Sequence, residues 1–165
     1  MKPRLRRLVP ITAIIPLLAA CAADQTDAPA PWLRITAAEG GTAGGSGDCI
    51  GSPVSPQCAV DTLLACFQRN RPDLCRLVDA GSDQYAEVFA GPSGPARDLA
   101  YRFVTSRPDP AAPADGWELA IEQQEVDPGG PPPTAATGQV SLFRLHRAPD
   151  GRWSVTAWDD PPADN

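Results

Sequence analysis

The chain has 165 residues, among them 20 prolines and 14 glycines, and its formal net charge is −6 at pH 7. Because so many residues break regular structure, the composition leaves room for one small domain rather than several. The acidic balance repels phosphate backbones, which argues against nucleic acid as a partner.

The first twenty residues have the layout of a secretory signal. Four basic side chains lie within the first seven residues, and an apolar run of about thirteen residues extends from Leu8 to Ala20. Spanning a membrane takes roughly twenty apolar residues, and the run is interrupted by Pro10 and Pro16. The sequence therefore predicts a signal peptide over residues 1–20 rather than a transmembrane helix. Its removal takes four of the fourteen basic residues and no acidic one, so the mature charge is −10.

The end of this signal, Leu18-Ala19-Ala20-Cys21, resembles the lipobox of bacterial lipoproteins. The resemblance implies that Cys21 becomes the first mature residue and carries a diacylglyceryl group and an N-acyl chain, which together hold a protein firmly on a membrane. It places the protein in the cell envelope, facing the periplasm, and on the outer membrane if the host has one, because Ala22 is not an acidic retention signal. The alternative is ordinary cleavage after Ala22, which would release a soluble secreted protein.

Residues 21–48 are predicted to be the lipidated cysteine followed by a flexible linker, because Ala, Gly, Asp, Thr and Pro dominate the segment. Trp32-Leu33-Arg34-Ile35 interrupts it. That motif either docks on the domain or binds a partner. The globular domain is predicted over residues 49–159, followed by a disordered tail over 160–165.

Four further cysteines lie within 27 residues, at Cys49, Cys58, Cys66 and Cys75. An even number in a small exported domain predicts two disulfides. The spacings lack the short pairs of a zinc site, so no metal is expected. Cys58 and Cys66 are about 12 Å apart along one predicted helix, beyond the reach of a disulfide. We favour Cys66–Cys75 with Cys49–Cys58; Cys49–Cys66 with Cys58–Cys75 remains the alternative.

The pattern changes from helical to alternating along the domain. A helix over 56–69 is expected to begin at Ser55, and a shorter second helix is expected to be capped by Asn70. A third short turn is expected around residues 85–89. Four strands follow, starting near Leu99, Trp117, Val140 and Trp153, the last two joined by a tight turn. The predicted fold is α+β: an N-terminal helical hairpin packed on a curved four-stranded antiparallel sheet and stapled by disulfides.

This arrangement resembles the cystatin-like cone of nuclear transport factor 2-like proteins. The resemblance rests on residues 58–67 (Cys-Ala-Val-Asp-Thr-Leu-Leu-Ala-Cys-Phe), on residues 73–78, and on a closing strand over 152–158, and it covers roughly residues 55–159. It implies a cone-shaped domain, and enzymes of that fold place an Asp, His or Tyr inside the cone.

No catalytic set is evident from the sequence. The single histidine, His146, is expected to face solvent, and alternation with apolar neighbours is expected to put Glu118 and Glu122 on a solvated sheet face. Asp98 is the remaining acid–base candidate. Nucleotide-binding and nucleophile-elbow motifs are absent, and no cofactor is expected.

Trp158 is the best candidate for a contact surface, because strict alternation puts it on the face opposite Trp153 and Val155. The sequence favours a non-catalytic binding or assembly module, held at the membrane by Cys21 and working with an envelope protein partner. The alternative is a small enzyme or hydrophobic-ligand binder of the cone fold.

Overall fold

Helix α1 begins where the sequence predicts. In a computed structural model, which describes residues 30–38, 49–80, 97–136 and 138–159, α1 spans Pro56–Gln68. The Ser55 hydroxyl accepts a hydrogen bond from the Cys58 N–H at 3.2 Å, and Pro56 occupies the first helical position. A hydroxyl cap followed by proline satisfies one amide and removes another that would have had no partner. The predicted signal, Cys21, the turn at 85–89 and the tail lie outside the described residues.

Helix α2 spans Pro72–Val78 and packs against α1. Asn70 was predicted to cap α2, but this is wrong: the capping residue is Arg71, whose side chain makes no capping hydrogen bond to the helix backbone. Asn70 instead lies at φ 50° after the end of α1, a left-handed conformation that asparagine adopts more readily than most residues. The asparagine therefore reverses the chain rather than starting the second helix.

Two disulfides secure the helices. Cys49 is bonded to Cys58 and Cys66 to Cys75, with Cα–Cα distances of 5.4 Å in both. This is the pairing favoured from the sequence. The first bridge fixes the incoming chain to the first turn of α1, and the second links α1 to α2.

The sheet has five antiparallel strands in the order β1-β2-β3-β4-β5. The strands are Leu33–Ile35, Asp98–Pro108, Gly116–Val126, Gln139–Arg147 and Trp153–Asp159. An α+β fold with an antiparallel sheet is confirmed, but the predicted count of four strands is wrong. The fifth strand is β1, which lies inside the segment assigned to the linker and pairs Ile35 with Leu99. Three residues are too few to reveal an alternating pattern.

One face of the sheet packs on the helices and forms the core. Its largest fully buried side chains include Tyr101, Leu119, Ile121 and Phe143. From α1, Val60 and Leu63 are fully buried against them. We call the opposite side the outer face of the sheet.

Candidate functional site

Trp158 lies on the core face of the sheet, not on the opposite one as predicted. Leu145 pairs with Val155, but Arg144 pairs with Ala157. Thr156 is therefore an extra residue, a β-bulge that reverses the alternation beyond it. Because of this bulge, Trp158 pairs with Phe143 and shares its face.

The ring of Trp158 belongs to a three-ring cluster. It stacks on Phe143 with centroids 5.4 Å apart and planes 22° apart. Phe67, near the end of α1, lies 5.3 Å from it at 45°. Trp158 is half-buried, so its indole packs against the core and remains partly exposed to solvent.

This aromatic cluster borders a cleft of about 350 Å³. The cleft lies where β2 and β4 begin and β3 and β5 end, beside the last turn of α1. Its apolar lining is Leu64, Phe67, Leu99 and Trp158, and its polar lining is Gln68, Gln123, Gln124, Glu125 and Gln139. An apolar wall facing a few convergent polar groups is typical of ligand sites.

The polar wall of the cleft is made mostly of amides. Gln123 donates from Nε2 to the Ser141 hydroxyl at 3.1 Å, and Gln68 donates from Nε2 to the Arg97 carbonyl oxygen. These bonds hold two of the amides in place. Glu125 is the single charged side chain among the lining residues, and both it and Gln139 are exposed.

Glu118 and Glu122 do not lie on a solvated face. Both are on the outer face, yet they are only 8% and 4% exposed. Glu122 pairs with Arg102 at 2.6 Å, and Glu118 pairs with Arg107 at 2.8 Å. Each arginine lies on β2, directly opposite the glutamate that it pairs with on β3. The two carboxylates are thus held in ion pairs, away from the cleft.

His146 is exposed, as predicted. Its Nδ1 lies 3.6 Å from an Asp115 carboxylate oxygen. It stands near the end of β4 opposite the cleft. The structure therefore does not bring this histidine together with the aromatic cluster.

Asp98 is a buried carboxylate that fastens β1 to the start of β2. It pairs with Arg34 at 2.9 Å and accepts the N–H groups of Ala37 at 3.1 Å and Gly129 at 3.3 Å. Burial raises the pKa of Asp98, but the two backbone donors and Arg34 outweigh it, so the pKa lies below its usual value. These contacts give Asp98 a role in holding the fold together.

Asp98→Asn is expected to lower the free energy of unfolding by about 1–3 kcal/mol at pH 7, because it removes a buried, hydrogen-bonded charge. A lowered pKa means that the ionised group stabilises the fold above the ordinary carboxyl pKa of about 4. This stability is lost as the pH falls through the folded-state value. Denaturant titrations should show a smaller difference in the free energy of unfolding between wild type and variant at pH 2 than at pH 7.

The matched control is Asp127→Asn, because Asp127 forms an ion pair with Arg97 while remaining exposed. It should leave stability nearly unchanged at both pH values. Equal stability of wild type and Asp98→Asn at pH 7 would contradict the stabilising role assigned to the Asp98 carboxylate.

A polar pair that the sequence analysis missed lies in the core. Asp61 and Tyr101 are 0% and 1% exposed, and the Tyr101 hydroxyl donates to the Asp61 carboxyl at 2.7 Å. Asp61 is the only charged residue of α1, whose buried residues run without a break from Cys58 to Cys66. A carboxyl in the middle of a buried helix must find its hydrogen-bond partner inside the protein. A single acidic residue within an otherwise apolar helix is therefore a sequence signal that could have indicated this pair.

Two further kinds of site were sought in the part of the chain that the structure describes, a metal-binding cluster and a membrane-spanning helix. Within those ranges, no three His, Cys, Asp or Glu side chains are grouped so as to hold a metal ion. Across the same residues, no helix has the length and apolar character needed to span a bilayer.

The described residues form a small α+β domain with two disulfides, in which two helices cover an open five-stranded sheet. Comparison with known proteins finds no match for the chain among family models, curated proteins or solved structures.

Proposed function

We propose that the protein is a lipoprotein of the bacterial cell envelope, anchored through Cys21, and that its domain is a non-catalytic binding module. The resemblance of residues 18–21 to a lipobox supports the anchor. The cleft beside Trp158 supports the proposed binding role, because it has both an aromatic wall and a wall of amides.

The placement of the acid–base candidates favours binding over catalysis. None of His146, Glu118, Glu122 and Asp98 lines the cleft. The three carboxylates are engaged by arginines. A general base needs to reach the substrate, and these groups do not reach the cleft. Glu125, the one carboxylate in its lining, is exposed.

The position of β1 sets how far the domain can stand from the membrane. Since β1 begins at Leu33, eleven residues, 22–32, separate it from Cys21. Even fully extended, such a segment spans at most about 40 Å. We therefore propose that the partner or ligand is met close to the membrane that carries the anchor.

The test is the intact mass of protein isolated from bacterial membranes, with and without reductant. We expect a chain beginning at Cys21, increased by its acyl groups, that gains four hydrogens on reduction, two for each bridge. Cys21→Ala should lose the acyl mass and leave the membrane fraction. A mass that begins at Ala23 without lipid would contradict the anchor and indicate a secreted protein.

A further inference from the structure

We infer that the cleft beside Trp158 binds a neutral saccharide of one or two rings. This rests on the proposal that the domain is a binding module, and it adds the chemical class of the ligand. The charge, the polarity and the shape of the cleft each support this ligand class.

The charge of the cleft disfavours an anion. Glu125 is the only charged group among its lining residues, and no lysine, arginine or histidine is among them. An anionic ligand would bring a second negative charge beside Glu125 and find no cation to pair with. The ligand is therefore not an anion at the cleft, and because Glu125 is exposed, a cation would gain little by pairing with it.

The polarity of the cleft disfavours a purely apolar ligand. Four of the lining residues are glutamines, at positions 68, 123, 124 and 139. Gln68 and Gln123 each use one N–H within the fold, but an amide carries more donors and acceptors than one bond uses. An apolar ligand would cover the remaining polar atoms of Gln68, Gln123 and Gln139 without offering them a partner. That penalty is comparable to what covering an aromatic side chain gains. Hydroxyl groups, which also donate and accept, match the amides.

The shape of the cleft favours a ring over a peptide. A sugar ring has an apolar C–H face and a rim of hydroxyls, which correspond to the Trp158 wall and the glutamine wall. Peptides commonly add to a free sheet edge, but the first half of the β5 edge is already engaged. The Trp153 N–H donates to the Pro53 carbonyl at 2.9 Å, and Val155 forms a parallel bridge with Asp79. A volume of about 350 Å³ suits one or two rings.

The experiment is saturation-transfer NMR on the mature membrane-purified protein in detergent micelles. The probes are N,N′-diacetylchitobiose, the anionic sugar N-acetylneuraminic acid, indole, and the neutral peptide N-acetyl-alanyl-alanine amide. We expect diacetylchitobiose to bind in the millimolar range and the other three to bind at least about tenfold more weakly.

Two variants locate the site without disturbing the core. Gln139→Ala changes an exposed lining residue and should weaken disaccharide binding by about three- to tenfold. Glu125→Gln should leave disaccharide binding within about twofold and allow the anionic sugar to bind. The control is Gln57→Ala, at the opposite end of α1, which should change nothing.

Each other result overturns the inference. Stronger binding of indole, the peptide or the anionic sugar, with loss in Gln139→Ala, would keep the cleft as a binding site but replace its ligand class. Disaccharide binding unaffected by Gln139→Ala would place the sugar elsewhere. No transfer from any probe would count against small-ligand binding in the cleft, whereas the anchor is judged separately by the mass measurement.

Discussion

A chain that begins at Cys49, the domain boundary predicted from the sequence, should unfold far more easily than one that begins at Ala30. The shorter chain lacks β1, whose Ile35 is fully buried. Burying such a side chain contributes about 2–3 kcal/mol. Losing Arg34 and the Ala37 N–H deprives buried Asp98 of two partners, which costs about 1–3 kcal/mol more.

The expected total of about 3–6 kcal/mol is a large share of the stability of a small domain. Urea titrations followed by circular dichroism would measure it, with both chains oxidised so that the bridges are intact. Within the full chain, Ile35→Ala should cost about 2–4 kcal/mol, whereas Val54→Ala, at a side chain 67% exposed, should cost little. Equal stability of the two truncated chains would mean that β1 is not an integral strand.

The sequence was sufficient where local chemistry decides the structure. A serine followed by a proline specifies a helix start through a cap and a preset backbone angle, and α1 begins there. The rise of a helix keeps Cys58 and Cys66 apart and so excluded one of the three pairings; of the two that remained open, the structure has the favoured one. Both inferences need only neighbours along the chain.

The sequence was insufficient where a partner on another strand decides the structure. Glu118 and Glu122 alternate with apolar residues, which is typical of a solvated face, but both are buried and paired with arginines on β2. The strand β1 exists only because its three residues find the edge of β2. The neighbouring residues in the sequence predict neither the burial of the two glutamates nor the pairing of β1 with β2.

The candidate site also depends on contacts between residues that are distant in the sequence. Trp158 was singled out as a contact residue, yet the bulge at Thr156 turns its side chain to the core face, and a bulge has no pattern of its own in the sequence. The glutamines of the cleft come from the end of α1 and from two strands. Only the packing of helix on sheet brings them together, so composition and spacing could not have predicted them.

Tyr101→Phe is expected to lower the free energy of unfolding by about 1–3 kcal/mol, because it leaves a buried carboxyl with one hydrogen bond fewer. The variant keeps the ring and its edge contact with Phe103, whose centroid lies 5.9 Å away. The loss would therefore report the hydroxyl rather than the packing. Asp61→Ala should cost about 2–4 kcal/mol, since it also opens a cavity in α1.

The decisive measurement is the double-mutant cycle, by denaturant titration of both single variants and the double variant. The cavity left by Asp61→Ala is common to the single and double variants and cancels, so the coupling isolates the 2.7 Å bond between Asp61 and Tyr101. We expect a coupling of about 1–3 kcal/mol. Combining Tyr101→Phe with Asp127→Asn, whose carboxylate is exposed, should give additive losses. Additivity for the Asp61 pair would mean that the bond between Asp61 and Tyr101 contributes nothing measurable to stability, and that the buried carboxyl has another role.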